Sequence, residues 1–387
     1  LFFKPQASDP FRMEQAGEFL DNPLGVAAGP QTQLAQNIIT AWLAGARFIE
    51  LKTVQVLDEL EVTKPCIDME DEGYNCEWSQ ELKLEQSFAE YLKAWIAIHS
   101  LQKKLGFADE RGFAFNMSVG YNLEGIQGDR VQQFLDRMAD AEAAQKKMLE
   151  EAADFLPDEL ELPNRLSTSI TLSTMHGCPP DEIERIGKFL IEELGLHTAI
   201  KLNPTLLGPE LLRGILNEEL GFTCRVPDAA FEHDPSYPEA VAMIRSLRAT
   251  AQAKGVFFGL KLTNTLETEN IRHALPEKEP MHYMSGRALH PLSVNLASKL
   301  SEEFHGTLPI SLSGGADAFN VVDALAGGLR PVTVCSDLLR PGGYGRLGQY
   351  IEGMRETLGA EQAGDLAGLA VGRALKAAPS SISSKMQ

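Results

Sequence analysis

Three lysines stand where a charge is costly. Lys52 lies in the run Ile-Glu-Leu-Lys-Thr-Val, Lys201 in Ala-Ile-Lys-Leu-Asn-Pro and Lys261 in Gly-Leu-Lys-Leu-Thr-Asn. Each falls in the last part of an otherwise apolar run, and an ammonium buried there needs an anionic partner. One candidate partner is a ligand that carries phosphate, or a ring that becomes negative when reduced. The other is a carboxylate of the protein such as Glu50. The ligand is the favoured reading, because lysines at the ends of different strands of one barrel converge on its mouth, where active sites sit. A strand lysine acting as a Schiff base, as in an aldolase-like barrel, is a further possibility for Lys201 or Lys261.

Three other groups of residues have types suited to chemistry. Thr174-Met175-His176-Gly177-Cys178-Pro179-Pro180 precedes a helical pattern, and a thiol at a helix start feels the positive end of the dipole, which can lower its pKa. Cys178 is then a candidate acid/base with His176 nearby, or an inert buried cysteine. Ser311-Leu312-Ser313-Gly314-Gly315 and Val332-Thr333-Val334-Cys335-Ser336 each end an apolar run. Paired glycines there let backbone N–H groups approach an anion, and the last two strand-to-helix loops of a barrel commonly hold phosphate. Asn122, after Met117-Ser118-Val119-Gly120-Tyr121, and Asn264, before Thr265, can each read the amide edge of a planar ring, although such asparagines also occur in plain turns.

These residues need a frame to bring them together. Short, nearly continuous apolar runs at Leu24–Gly29, Phe48–Thr53, Phe113–Val119, Ser169–Thr174, Thr198–Leu202, Val256–Leu262, Leu308–Ser313 and Pro331–Cys335 read as strands covered on both faces. Helical patterns fill the gaps, among them Gln33–Ala44, Phe88–Leu105, Val131–Ala153, Asp181–Leu194, Pro238–Ala253, Leu292–Phe304 and Phe319–Ala326. The alternation predicts an α/β fold, a (β/α)₈ TIM barrel over residues 1–358, with an open doubly wound sheet as the other architecture. Polar insertions near 58–86, with Cys66, Tyr74, Cys76 and Trp78, and near 264–283 read as lids or as surface decoration. Residues 359–387 read as a C-terminal helix followed by a Ser-rich linker.

Composition narrows the partners. Of 387 residues 44% are hydrophobic, enough for a large core, and the formal charge of −19 disfavours nucleic acid and anionic lipid. The apolar runs fall short of a membrane span and no secretory signal is visible, so the expected location is cytoplasmic. Five scattered cysteines without a CxxC pair fit reduced thiols, and no protein-ligated metal is expected.

Taken in chain order, these segments resemble the FMN barrels of the dihydroorotate and dihydropyrimidine dehydrogenases, from Asn22 to about Ile351. Asn22-Pro23-Leu24-Gly25-Val26-Ala27-Ala28 is similar to the first-strand flavin segment. Lys52 and Lys201 fall at the second- and fifth-strand lysines, and Ser118 to Asn122 and Asn264-Thr265 resemble the substrate segments of the dihydropyrimidine branch. Met284-Ser285-Gly286-Arg287-Ala288-Leu289-His290-Pro291 is similar to another segment of that branch. A closer resemblance is to the N-terminal module of the family named for a selenate reductase subunit, on segments such as FIELKTVQ, KPCID, TLSTMHGCPP and RPGGYGRL. The resemblance implies FMN held by Ala27, Ala28, Lys52, Lys201, Thr263, Ser285, Gly286, Gly314, Gly315, Cys335 and Ser336, substrate held by Asn122, Asn264 and Thr265, and Cys178 as the catalytic acid/base. It implies redox chemistry on a C=C or C=N bond of a small heterocycle, pyrimidine- or purine-derived, with electrons from an iron–sulfur/flavin module or subunit absent from this chain. One departure bears on the substrate: where the dehydrogenases carry Asn-x-x-Cys-Pro, this chain has Met175 at the asparagine position. A non-catalytic barrel that scaffolds partner redox subunits is the alternative, and homo-oligomerisation is open.

Overall fold

The computed structural model describes every residue except 1, 7, 57–63, 71, 77–81, 108–110, 158–159, 174–176 and 378–387, and the side chains of 374–377. The expectations placed on Trp78, Thr174, Met175, His176, residues 58–63 and 77–81, and the Ser-rich tail lie outside the described residues.

Eight parallel strands close into a barrel: β1 (Leu24–Val26), β2 (Phe48–Glu50), β3 (Ala114–Val119), β4 (Ser169–Leu172), β5 (His197–Leu202), β6 (Phe258–Leu262), β7 (Ile310–Leu312) and β8 (Val332–Val334). They pair in chain order, and β8 returns to β1 with Thr333 beside Gly25. All eight lie within the apolar runs read from the sequence, bar a residue at the start of β5. Burial on both faces, by packed side chains within and helices outside, makes such strands apolar throughout and therefore easy to see. Asn22 and Gly25 set the entry to β1. The buried Asn22 amide donates to the Gly45 carbonyl (3.0 Å) and its oxygen accepts from Leu24 N–H (2.9 Å). A Cβ on Gly25 would lie 1.8 Å from the Phe48 carbonyl oxygen, so β1 and β2 meet at a distance only glycine permits.

Helices follow the strands, from Ala35–Ala44 after β1 to Arg346–Ala360 after β8, with Leu366–Ala377 beyond. The single helix expected at Val131–Ala153 is two, Asp129–Ala139 and Glu142–Glu151. The break has a local cause. Asp140 is extended, its carboxylate accepts from Glu142 N–H (3.1 Å), and Ala141 N–H goes to the Asn164 carbonyl. Aspartate competes for backbone donors in this way and so starts helices better than it continues them.

Two features were not legible. A hairpin of Met13–Gln15 and Glu18–Leu20 lies across the amino-terminal end of the barrel, with Leu20 packed on Phe48 and Ala114. The two insertions also do not remain separate loops. Ile67–Asp68 and Gly73–Asn75 from the first join Leu266–Glu269 and Met281–Ser285 from the second in one antiparallel four-stranded sheet, with Tyr283 beside Asn75. Tyr74 stacks on His282 across that seam, centroids 4.1 Å apart. Among the described residues no helix is long and apolar enough to cross a membrane.

Candidate functional site

The inside of the barrel is polar at mid-height. Glu50 at the end of β2 meets Lys261 of β6 at 2.7 Å, and both are about 2% exposed. Thr333 of β8 completes the cluster, accepting from Lys261 Nζ (2.8 Å) and donating to Glu50 (3.1 Å). Asn116 of β3 donates to Thr171 of β4 beside them. This arrangement corrects one expectation. Lys261 does not reach the mouth, because a carboxylate on the opposite side of the barrel, four strands away, supplies its anion. Burial still holds its pKa below the usual range, against the attraction of Glu50.

Above this layer, at the carboxyl ends of the strands, lies a cavity of about 210 Å³. Lys52 and Lys201 stand on its wall, with Ala27 and Ala28 from the end of β1 and Thr263 from the end of β6. Lys201 is neighbour to Lys261 in the β5–β6 register. Burial and the nearby Lys261 charge pull its pKa down to about 8, with Glu50 and Cys335 opposing. Cys335 faces the same group of cations. Its thiol is pushed up by burial, while a hydrogen bond to Gln31 (3.4 Å) and the charges of Lys201 and Lys52 act the other way.

At one end of the cavity, loops from three strands come together. Gly286 and Gly315 both have positive φ, +72° and +67°, and a Cβ on Gly315 would meet the Gly286 carbonyl oxygen at 2.3 Å. The Ser285 and Ser336 hydroxyls lie 3.1 Å apart there, and Ser336 opens a short helical turn, Ser336–Leu339. Gly314 is adjacent but serves packing: a Cβ on it would sit 2.1 Å from the Ser293 hydroxyl of helix Leu289–Glu303, and it is not on the cavity wall. Arg287 and Arg340 are on that wall, and so are Asp317 and Asp337. Asp337 is held by Arg346 at 2.7 Å and by a short hydrogen bond from Tyr350.

Opposite, Asn264 is fixed on both sides. Its oxygen accepts from Ser173 (3.2 Å) and its amide donates to Asn203 (2.6 Å). Thr265 and Ser173 line the cavity, and the insertion sheet roofs it with Cys66, Ile67, Asn75, Cys76 and Tyr283. Ser173, Tyr283 and Arg340 were missed in the sequence. All three stand in segments already singled out, but nothing in their spacing separates them from neighbours that turn away.

Two expected residues are elsewhere. Asn122 is exposed and off the wall; its side chain accepts from Gly125 N–H at 2.9 Å and caps helix Leu123–Gln127. Cys178, before helix Pro180–Glu192, is half-buried against the core and is not on the wall either. Nor is its pKa lowered by the helix start. Burial raises the thiol to about 11, and the carboxylates of Glu182, Asp181 and Asp234 add to the rise. Asp234 is placed by Gly177 N–H (3.0 Å) and the Thr205 hydroxyl (2.6 Å).

With this geometry in place, comparison with known proteins is decisive. A family model described as "Oxidoreductase YgfK, N-terminal TIM-barrel domain" matches residues 1–382. The chain belongs to that family. YgfK of Escherichia coli strain K12 is 50% identical over 368 residues, covering 89% of this chain, and YgfK of Escherichia coli O157:H7 matches to the same extent. This chain spans only 35% of the length of those YgfK proteins. Among solved structures, the crystal structure of DHODH in complex with ferulenol from Eimeria tenella superposes with a TM-score of 0.62 at 15% identity, over 96% of this chain and 90% of that one. At that identity the likeness speaks to the fold, a YgfK-family barrel shaped like DHODH.

Proposed function

We propose that this YgfK-family barrel binds FMN in the cavity and reduces, or in reverse oxidises, a C=C or C=N bond of a small heterocycle, pyrimidine- or purine-derived. We place it as one module of a longer electron-transfer enzyme of the dihydropyrimidine dehydrogenase type. The observation that carries the reading is the cavity itself: two lysines on one side and a cradle of positive-φ glycines and serine hydroxyls at one end. The cradle suits a phosphate, since Gly286 and Gly315 bring backbone where a side chain would intrude. The lysines suit a ring that gains negative charge.

FMN, when bound, supplies two-electron hydride chemistry that amino-acid side chains lack. Ser285, Gly286, Gly315 and Ser336 would hold its phosphate end, with Ala27, Ala28 and Thr263 against the rest. Lys52 and Lys201 would stabilise negative charge on the reduced ring. Asn264 and Thr265 would orient the substrate. The resemblance assigns the proton to Cys178, which lies off the cavity wall in the free chain; a thiol raised to about 11 stays protonated near neutral pH and so would donate rather than accept, which favours the reductive direction. A screen that follows reoxidation of the reduced flavoprotein by pyrimidines, purine breakdown products and related ring amides tests the substrate class. Turnover by one of these groups is expected; reoxidation by none of them would remove the heterocycle assignment.

Lys201 gives this reading a pH signature. In the free protein its pKa is about 8, and an anionic ring beside it would raise that value. Below pH 8 the ammonium is already formed and Lys201 adds no pH dependence to the binding of reduced FMN. Above pH 8 binding must take up a proton, so affinity falls by up to about tenfold per pH unit until the pKa of the complex is passed. Titrations from pH 6 to pH 10 check this, and a Lys201→Met variant should lose the dependence.

The same lowered pKa favours a second reading, Lys201 as a Schiff-base amine. Borohydride trapping of a carbonyl compound on Lys201 would support it over the flavin reading.

A further inference from the structure

The insertion sheet carries two cysteines that the flavin chemistry does not use. Ile67 stands opposite Asn75 in the hairpin, and one residue further along both strands Cys66 stands opposite Cys76, whose N–H donates to the Cys66 carbonyl at 2.9 Å. Directly opposed residues in an antiparallel ladder have Cα atoms about 4.5–5.5 Å apart, inside the range of about 4.4–6.8 Å that a disulfide spans. Both residues are half-buried thiols on the cavity wall.

The two thiols differ. The Lys64 ammonium lies 3.9 Å from Cys66 Sγ, close enough to attract negative charge on an attacking sulfur. Cys76 has its thiol pushed up by burial, with Glu279 and Cys66 adding to the rise and the more weakly acting Lys64 and Lys278 opposing it. Nucleophile and resolving group are thus distinguished by their surroundings.

We propose that Cys66 and Cys76 form a redox-active pair that reduces small disulfides such as glutathione disulfide, Cys66 attacking first and Cys76 resolving. The Cys66 thiolate attacks one sulfur of the disulfide, breaks its S–S bond and expels one thiolate, which takes a proton. The mixed disulfide on Cys66 is then attacked by the deprotonated Cys76 sulfur, which expels the second thiol and closes the Cys66–Cys76 bond. The substrate gains two electrons and two protons, and the protein dithiol loses the same. A dithiol such as dithiothreitol restores the pair. The proposal does not depend on FMN.

The test treats the reduced full chain with glutathione disulfide, quenches by alkylation and maps thiols by mass spectrometry. The native chain should lose two alkylatable thiols, retain no glutathione and yield a peptide cross-linked between Cys66 and Cys76. Cys76→Ser should hold one glutathione on Cys66. Cys66→Ser should react about tenfold more slowly or worse, and Lys64→Gln should slow the first step while reaching the same end state. Glutathione retained on both cysteines of the native chain, or a cross-link from Cys76 to Cys224 instead, would overturn the pair. Equal rates for the two serine variants, or an unchanged rate in Lys64→Gln, would overturn the order of attack.

Discussion

Replacing Lys261 with methionine is expected to destabilise the barrel by about 3–5 kcal/mol, the usual cost of removing one partner from a buried ion pair. The buried Glu50 carboxylate would lose the ammonium 2.7 Å away and keep the Thr333 hydroxyl and the more distant charge of Lys201. Methionine nearly preserves the volume, so cavity formation contributes little to the loss. The double change Lys261→Met with Glu50→Gln removes the orphaned charge and should recover most of the stability, because well-packed neutral side chains often match a buried pair. Denaturant unfolding of the three proteins checks this. A single variant within about 1 kcal/mol of the native protein would mean that Glu50 finds another partner or a proton. Alanine at Lys201 would be milder, since that side chain opens onto the cavity and is not held by a carboxylate at close range.

Cys178→Ala is expected to leave flavin binding intact and lower turnover by about 10²–10⁴-fold, the range general acid catalysis commonly contributes. The binding half of that expectation follows from position, because Cys178 is off the cavity wall that FMN would occupy. The turnover half follows from chemistry: a thiol raised to about 11 is a reservoir of one proton, just before helix Pro180–Glu192. Cys178→Ser should recover little, for a serine hydroxyl is a still weaker acid. Reoxidation rates of the reduced protein with a productive heterocycle are the readout, and a rate unchanged in Cys178→Ala would remove the residue from the mechanism.

The sequence carried the barrel because each strand is covered on both faces and so is apolar along its length. It did not carry the insertion sheet. Ile67–Asp68 and Gly73–Asn75 are too short to show a period, and Met281–Ser285, which pairs with the second of them, is some two hundred residues away. Lys201 and Lys261 have the same local pattern, a lysine between apolar residues. Only the position of Glu50 across the barrel separates them, and that is a fact of closure rather than of spacing. Cys178 is a different case. Asp181 and Glu182 are plain in the sequence beside the helix start and oppose its dipole; Asp234, which adds to them, comes from a distant segment. The cradle glycines could be seen as a pair at Gly314 and Gly315, yet only Gly315 faces the cavity, while its neighbour makes room for Ser293.

The central claim is that the cavity is a flavin site, and the most direct measurement is a fluorescence titration of the purified chain with FMN, run beside Gly315→Ala and Gly315→Val. The native chain should quench the flavin at one equivalent. The alanine variant should bind more weakly, and the valine variant should lose about a hundredfold or more in affinity, since a side chain at φ +67° is strained and its Cβ would lie 2.3 Å from the Gly286 carbonyl oxygen. A native chain that leaves FMN fluorescence unchanged at every concentration tried, while folded by circular dichroism, would contradict the account.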